Sequence, residues 1–119
     1  MAFPRPDAES KVFFQSILPP DPRIRVQPMF GNLAGFVNGN MFTGLFGSEV
    51  FVRLPEEARV RLLSEEGASP FEPMPGRPMT EYVVMPVAWR NEPEKAQTWV
   101  ERSLNWAGGL PEKAAKPKK

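Results

Sequence analysis

The chain contains no histidine and no cysteine. Without them there is no imidazole to act as a general base near neutral pH, no thiolate nucleophile, no His or Cys zinc site, no iron–sulfur cluster and no disulfide. Long apolar runs are missing too. No stretch approaches the roughly 20 residues of a membrane-spanning helix, and Met1 to Asp7 hold no signal-peptide hydrophobic region. No membrane partner is expected and cytoplasmic residence is the default, with which the absence of Cys agrees. Charge of one sign is scarce as well: the formal net charge is +1, with 15 Lys and Arg against 14 Asp and Glu. The segment from Leu110 onward carries four Lys and one Glu, so the body without it is slightly acidic. A body of that sign has no global field to attract nucleic acid, which is not expected as a partner. Residues 111–119 read as a flexible basic tail.

What is present suits one globular domain over residues 1–110. A chain of 119 residues with 41% apolar content hides roughly two thirds of its unfolded surface on folding, enough for one core. Asp7 is a candidate N-cap for a helix whose apolar side carries Phe13, Phe14, Ile17 and Leu18, with Ser10 on the same stripe, and Pro19 and Pro20 stop it. Arg23 to Gln27 alternates polar and apolar residues, the pattern of a half-buried strand.

From Leu33 to Leu54 two tight-turn signals predict a three-strand meander. Asn38-Gly39 suits a type I′ hairpin, in which both central residues need positive φ, and Gly47-Ser48 suits a turn with Gly first. If both loops are two residues long, strict alternation sends Phe36, Met41, Thr43, Leu45, Val50, Val52 and Leu54 to one face. That is the expected core face beneath the helices. The other face receives Val37, Phe42, Phe46 and Phe51, with Leu33, Gly35 and Gly44 among them and Asn40, Glu49 and Arg53 at the rim. A single helical layer covers only one face of a sheet, so these aromatics need a separate explanation.

Pro55 is placed for the first turn of a second helix, with Glu56 and Glu57 following, a stripe of Val60 and Leu63 near Ala58 and Leu62, and Gly67 as its end. Pro70, Pro73, Pro75 and Pro78 withdraw too many donors for a sheet interior, so this stretch reads as an ordered loop with Phe71 as its anchor in the core. Met79 to Met85 is again strand-like. Pro93, Glu94, Ala96, Trp99, Val100, Ser103, Leu104, Trp106 and Ala107 mark a last helix that ends at Gly108-Gly109. The order predicts an α+β fold, an antiparallel sheet of a four-strand run followed by helix, strand and helix, with helices mainly on one face.

Several of these residues form a pattern. Met29-Phe30-Gly31, Gly35-Phe36-Val37-Asn38-Gly39, Met41-Phe42 with Gly44, the strand ending at Leu54, the Gly67 to Phe71 spacing and the Tyr82 strand together resemble the N-terminal domain of TfoX, the bacterial competence regulator. The resemblance runs from about Phe13 to about Trp106; where the family often has a further glycine after Met-Phe-Gly, this chain has Asn32. It implies a two-layer α+β domain grouped with secretion-chaperone-like folds, and it brings no catalytic residues to carry over. In the full-length regulator a helical domain follows; here the chain ends at Lys119, so a role in DNA uptake does not follow automatically.

The residues themselves offer little reaction chemistry. Glu56 with Glu57 and Glu65 with Glu66 are helix neighbours about 100° apart, which do not converge on a metal. The glycines between Gly31 and Gly47 lack the Lys-Ser/Thr and the helix start of a phosphate loop. Ser48, Ser64, Ser69 and Ser103 have no His to activate them. No metal or cofactor is expected. The Phe-rich face admits cover by the N-terminal segment or the Pro-rich loop, an isologous homodimer, base stacking without the basic rim it requires, or a small apolar ligand. The favoured expectation is a non-enzymatic interaction module that forms a homodimer through Val37, Phe42, Phe46, Phe51 and Arg53. The alternative is a small-molecule or catalytic domain whose pocket, between the meander and the Pro-rich loop, carries Arg77, Glu81 and Tyr82.

Overall fold

The computed structural model describes residues 4–29 and 31–112. Phe30 of the Met-Phe-Gly motif and the Lys-rich segment 113–119, where most of the expected flexible tail falls, lie outside the described residues. The elements run α1 (Ala8–Ser16), β1 (Arg25–Met29), β2 (Asn32–Val37), β3 (Asn40–Phe46), β4 (Glu49–Arg53), α2 (Glu56–Leu63), β5 (Ser69–Pro70), β6 (Tyr82–Val84), a 3-10 helix (Val87–Asn91) and α3 (Pro93–Gly108). One antiparallel sheet has the order β1-β2-β3-β4-β6-β5, and α3 and α1 pack on its central strands. This is the expected α+β architecture.

Local signals set most of these boundaries. The Asp7 carboxylate accepts a hydrogen bond from the backbone N–H of Ser10 at 2.8 Å, capping α1. Asn38 has φ 52° and Gly39 φ 76°, as a type I′ turn demands, and Gly47 has φ 64° in the next turn. The first strand starts two residues later than its alternation suggests. Asp21 explains this: its carboxylate accepts from the Arg23 backbone N–H, and its carbonyl accepts from the Ile24 N–H, tying that stretch into a turn. Both sheet edges contain proline, Pro28 in β1 and Pro70 in the two-residue β5, where a missing donor is tolerated.

The register holds one departure from strict alternation. Gly35 pairs with Thr43 and the next residue, Phe36, pairs with Met41, so Phe42 is an extra residue in β3. Such a bulge places two consecutive side chains on one side of the sheet. Phe42 and Thr43 both turn toward the helices, above Gly35, where an added Cβ would stand 3.0 Å from Thr43 Cγ2. The carbonyl of the extra residue is taken up by α3. Ser103, fully buried, has its hydroxyl 2.7 Å from the Phe42 carbonyl and 2.6 Å from that of Arg53. Thr43 in turn donates to the Phe51 carbonyl at 2.7 Å.

The bulge corrects the face assignments near the first turn. Val37 and Phe42 belong to the helix-covered core with Leu45, Val50, Val52 and Leu54, while Phe36 and Met41 face the other way. Asn40, expected on the open rim, is buried and donates to the Asn38 and Pro111 carbonyls, and Asn38 donates to Gly108 O at the end of α3. The stripe of α2 is corrected too: Leu62 is buried with Ala58 beside it, whereas Val60 and Leu63 face outward. A helix at the margin of the sheet buries only the narrow side that meets β6, and Leu62 occupies that side.

Two measurements check this account. Ser103→Ala removes the one hydroxyl proton shared between the Phe42 and Arg53 carbonyls, and urea unfolding should show a loss of about 1–3 kcal/mol. The Ser10 N–H also holds the Asp7 carboxyl below its ordinary range. A depressed folded-state value means the cap stabilises above the unfolded pKa and fades as pH falls through the folded one. Asp7→Ala should therefore lower the thermal midpoint at pH 7 and leave it nearly unchanged at pH 2.

Candidate functional site

The second face of the sheet is built around Gly44 and Phe51, which pair across β3 and β4. The Phe51 ring lies flat over Gly44: a Cβ there would be 2.3 Å from Phe51 Cζ. Gly44 thus makes room for a ring rather than for a turn. Phe71, carried in by the Pro-rich loop, stacks on Phe51 with centroids 4.1 Å apart and planes 13° from parallel, and it meets Phe46 edge-on at 5.4 Å. Tyr82 adds an edge contact to Phe51 at 5.6 Å. Val84 completes the cluster, with Met29, Met41 and Met79 at its margin.

Backbone bonds hold the loop in place. Phe71 N–H donates to the Tyr82 carbonyl and Met79 N–H donates to the Phe71 carbonyl, so Phe71 is anchored on both sides by the β6 approach. The anchor expected from the sequence is present, and the aromatic face is covered from within the chain: Phe51 is fully buried, Phe71 is 2% exposed and Phe46 is 9% exposed. The N-terminal segment closes the neighbouring corner. Asn32 donates to the Pro4 carbonyl at 2.9 Å and accepts from the Gly47 N–H at 2.7 Å.

The other sequence-derived site residues separate. Arg53 reaches around the strand end, its guanidinium within 6 Å of the Tyr82 and Trp106 rings, and binds Glu81 at 2.6 Å. Glu81 is thus engaged by Arg53, a partner the sequence pattern did not single out, and not by Arg77. Arg77 is exposed in a turn, its N–H donating to the Met74 carbonyl. Tyr82 donates its hydroxyl to the Met41 carbonyl at 3.0 Å, and burial pushes its phenol above the ordinary range, which keeps it protonated. Arg77, Glu81 and Tyr82 therefore do not converge on one point. Among the described residues no three acidic side chains gather to hold a metal. A shallow hollow of about 430 Å³ lies elsewhere, along Ala8, Glu9, Val12, Phe13 and Ser16 of α1.

A two-layer α+β domain with an internally closed aromatic layer and structurally engaged polar groups defines the class of protein. The chain belongs to the TfoX N-terminal domain family, which matches residues 16–107. Comparison with curated proteins found no significant match. Membership supports a regulatory, competence-related module at the level of the family, which is not a known enzyme family. No helix among the described residues is long and apolar enough to cross a membrane.

Phe71→Ala tests the closed layer. It removes the ring stacked on Phe51 and leaves a cavity, and it should reduce stability by about 3–5 kcal/mol in urea unfolding while exposing apolar surface to a hydrophobic dye.

Proposed function

We propose that this domain is a non-enzymatic protein-interaction module with a regulatory role in the bacterial cytoplasm, and that it associates with a second copy of itself. The observation that carries the reading is where the reactive side chains are engaged. Ser103 serves two backbone carbonyls, Glu81 serves Arg53 and the Tyr82 hydroxyl serves Met41, each bond holding one element to another. A domain whose polar groups are tied up in this way has little left for bond chemistry and retains its surface for recognition. The small-molecule alternative has less support, since Glu81 is paired with Arg53 and Arg77 lies exposed in a turn.

Self-association draws on the uncovered margin of the aromatic layer. Val37 and Phe42 lie on the helix side and Phe51 is closed over by Phe71, so of the residues first considered Phe46 and Arg53 remain near this margin. Phe36 and Met41, paired across β2 and β3 and half-buried, extend it. A contact centred on Phe36 and Met41, with Arg53 toward its border, joins apolar surface to a charge at the rim, the usual arrangement of an interface.

Light scattering decides this reading. The wild type should run at twice the chain mass, and Phe36→Glu and Met41→Glu should run as monomers with an unchanged circular dichroism spectrum. A monomeric wild type sinks self-association, and a dimer that survives both substitutions sinks this choice of surface.

A further inference from the structure

The sheet ends at β1, and the chemistry of its outer edge follows from the register. Val37 and Asn40 close a two-residue hairpin, and the closing pair of such a turn exchanges both of its backbone hydrogen bonds. Val37 therefore directs its N–H and C=O toward β3. The bulge lies in β3 and leaves the alternation of β2 intact, so Phe36, Ala34 and Asn32 direct theirs toward β1. Their partners Arg25, Gln27 and Met29 point back, which leaves Val26 and Pro28 with main-chain groups facing outward. Pro28 has no N–H. The outer edge thus presents one donor, Val26 N–H, followed along the strand by two acceptors, Val26 C=O and Pro28 C=O. Among the described residues no strand pairs with it.

This flank is open on both faces. Arg25, Val26, Gln27 and Pro28 are all exposed, and the helices pack chiefly against β2, β3, β4 and β6. It is also basic. Arg25 is the sole charged residue of β1 and β2, and among the described residues it has no carboxylate partner. Arg5 approaches Gly31 at one end of the hairpin, and Arg23, paired with Asp21, approaches Gly108 at the other. At that second end Pro111 accepts a hydrogen bond from Asn40.

We infer that the outer edge of β1 is a docking site for an extended acidic segment of a partner protein, which adds to the sheet as a seventh strand. The edge supplies the strand register through Val26 and Pro28, and Arg25 with its basic surroundings selects the sign of charge. Self-pairing of β1 is disfavoured, because it brings the Arg25 side chains of both copies into one short ladder. A nucleic acid would answer the charge but has no backbone amides to match the edge. The inference rests on the reading of the domain as an interaction module and uses a different surface from its self-association.

The test follows fluorescence anisotropy of labelled probes added to the whole chain: an alternating Val-Glu octapeptide, an alternating Val-Lys octapeptide and a single-stranded oligothymidylate. The Val-Glu peptide should bind saturably and at least about tenfold more tightly than the other two. Val26→Pro removes the outward donor and should weaken binding by about tenfold or more, as should Arg25→Glu. Pro28→Val adds a second outward donor and should strengthen it, which keeps the test decisive if Val26→Pro fails to fold. Absence of Val-Glu binding, equal binding of either other probe, or no gain with Pro28→Val overturns the inference. If the edge fails while light scattering finds the dimer, the interaction-module reading stands without this site; if both fail, the reading falls with it.

Discussion

The extra residue at Phe42 sets the direction of every side chain between the first turn and the middle of the sheet. Strict alternation would leave Phe42 on the face away from the helices and place Met41 beneath them. By taking two consecutive residues to one side, the bulge buries Phe42 under α3 together with Leu45 and releases Met41 and Phe36 to the second face. Three neighbours make this arrangement hold. Gly35 yields the space, Thr43 fixes its hydroxyl on the Phe51 carbonyl, and Ser103 satisfies the Phe42 carbonyl from the helix above. The helix layer and the sheet are thereby joined through a polar contact inside an apolar core, which selects one packing of α3 over others that bury similar area.

The second face is solved by a different device. Helices cover one side of the sheet, and a Pro-rich loop covers part of the other by sending in one ring. Phe71 lies on Phe51, Phe51 lies on Gly44, and Phe46 and Tyr82 close around them. Prolines suit this loop because its backbone needs few ladder bonds, and the two that flank Phe71 suffice to hold it against β6. Burying the Phe71 ring contributes on the order of 1.5–3 kcal/mol by transfer alone, which offsets part of the entropy lost in ordering the loop. What remains open is β1, with the half-buried Phe36 and Met41 on the strands beside it. The surfaces proposed for recognition therefore lie at the margin of the Phe-rich face and at the β1 edge, away from its centre.

Much of this was legible in the chain. Asp7, the paired Asn38-Gly39, Gly47 and Pro93 act within a few residues of themselves, through cap bonds and allowed φ, so their consequences can be read without the rest of the molecule. The family pattern and the Phe71 anchor were legible for a related reason, since glycines, prolines and a lone aromatic stand out against their surroundings. The pairing of Arg53 with Glu81 was not, because they stand 28 positions apart and the stretch between them carries no signal that β4 and β6 lie side by side. Nor were the outward positions of Val60 and Leu63, since a short helix with apolar residues on two sides does not declare which one meets the sheet.

Helix caps, hairpin turns, the class of fold and the excluded chemistries follow from residue types and close spacing, because each depends on local sterics and on which functional groups exist at all. The face of each meander residue, the closure of the aromatic layer and the outward groups of β1 depend on contacts between segments far apart in the chain. A single unpaired residue at Phe42 reverses the parity of its neighbours, and nothing in β3 alone requires it. Gly35 across the ladder and Ser103 some 60 residues onward supply the space and the donor that make it stable.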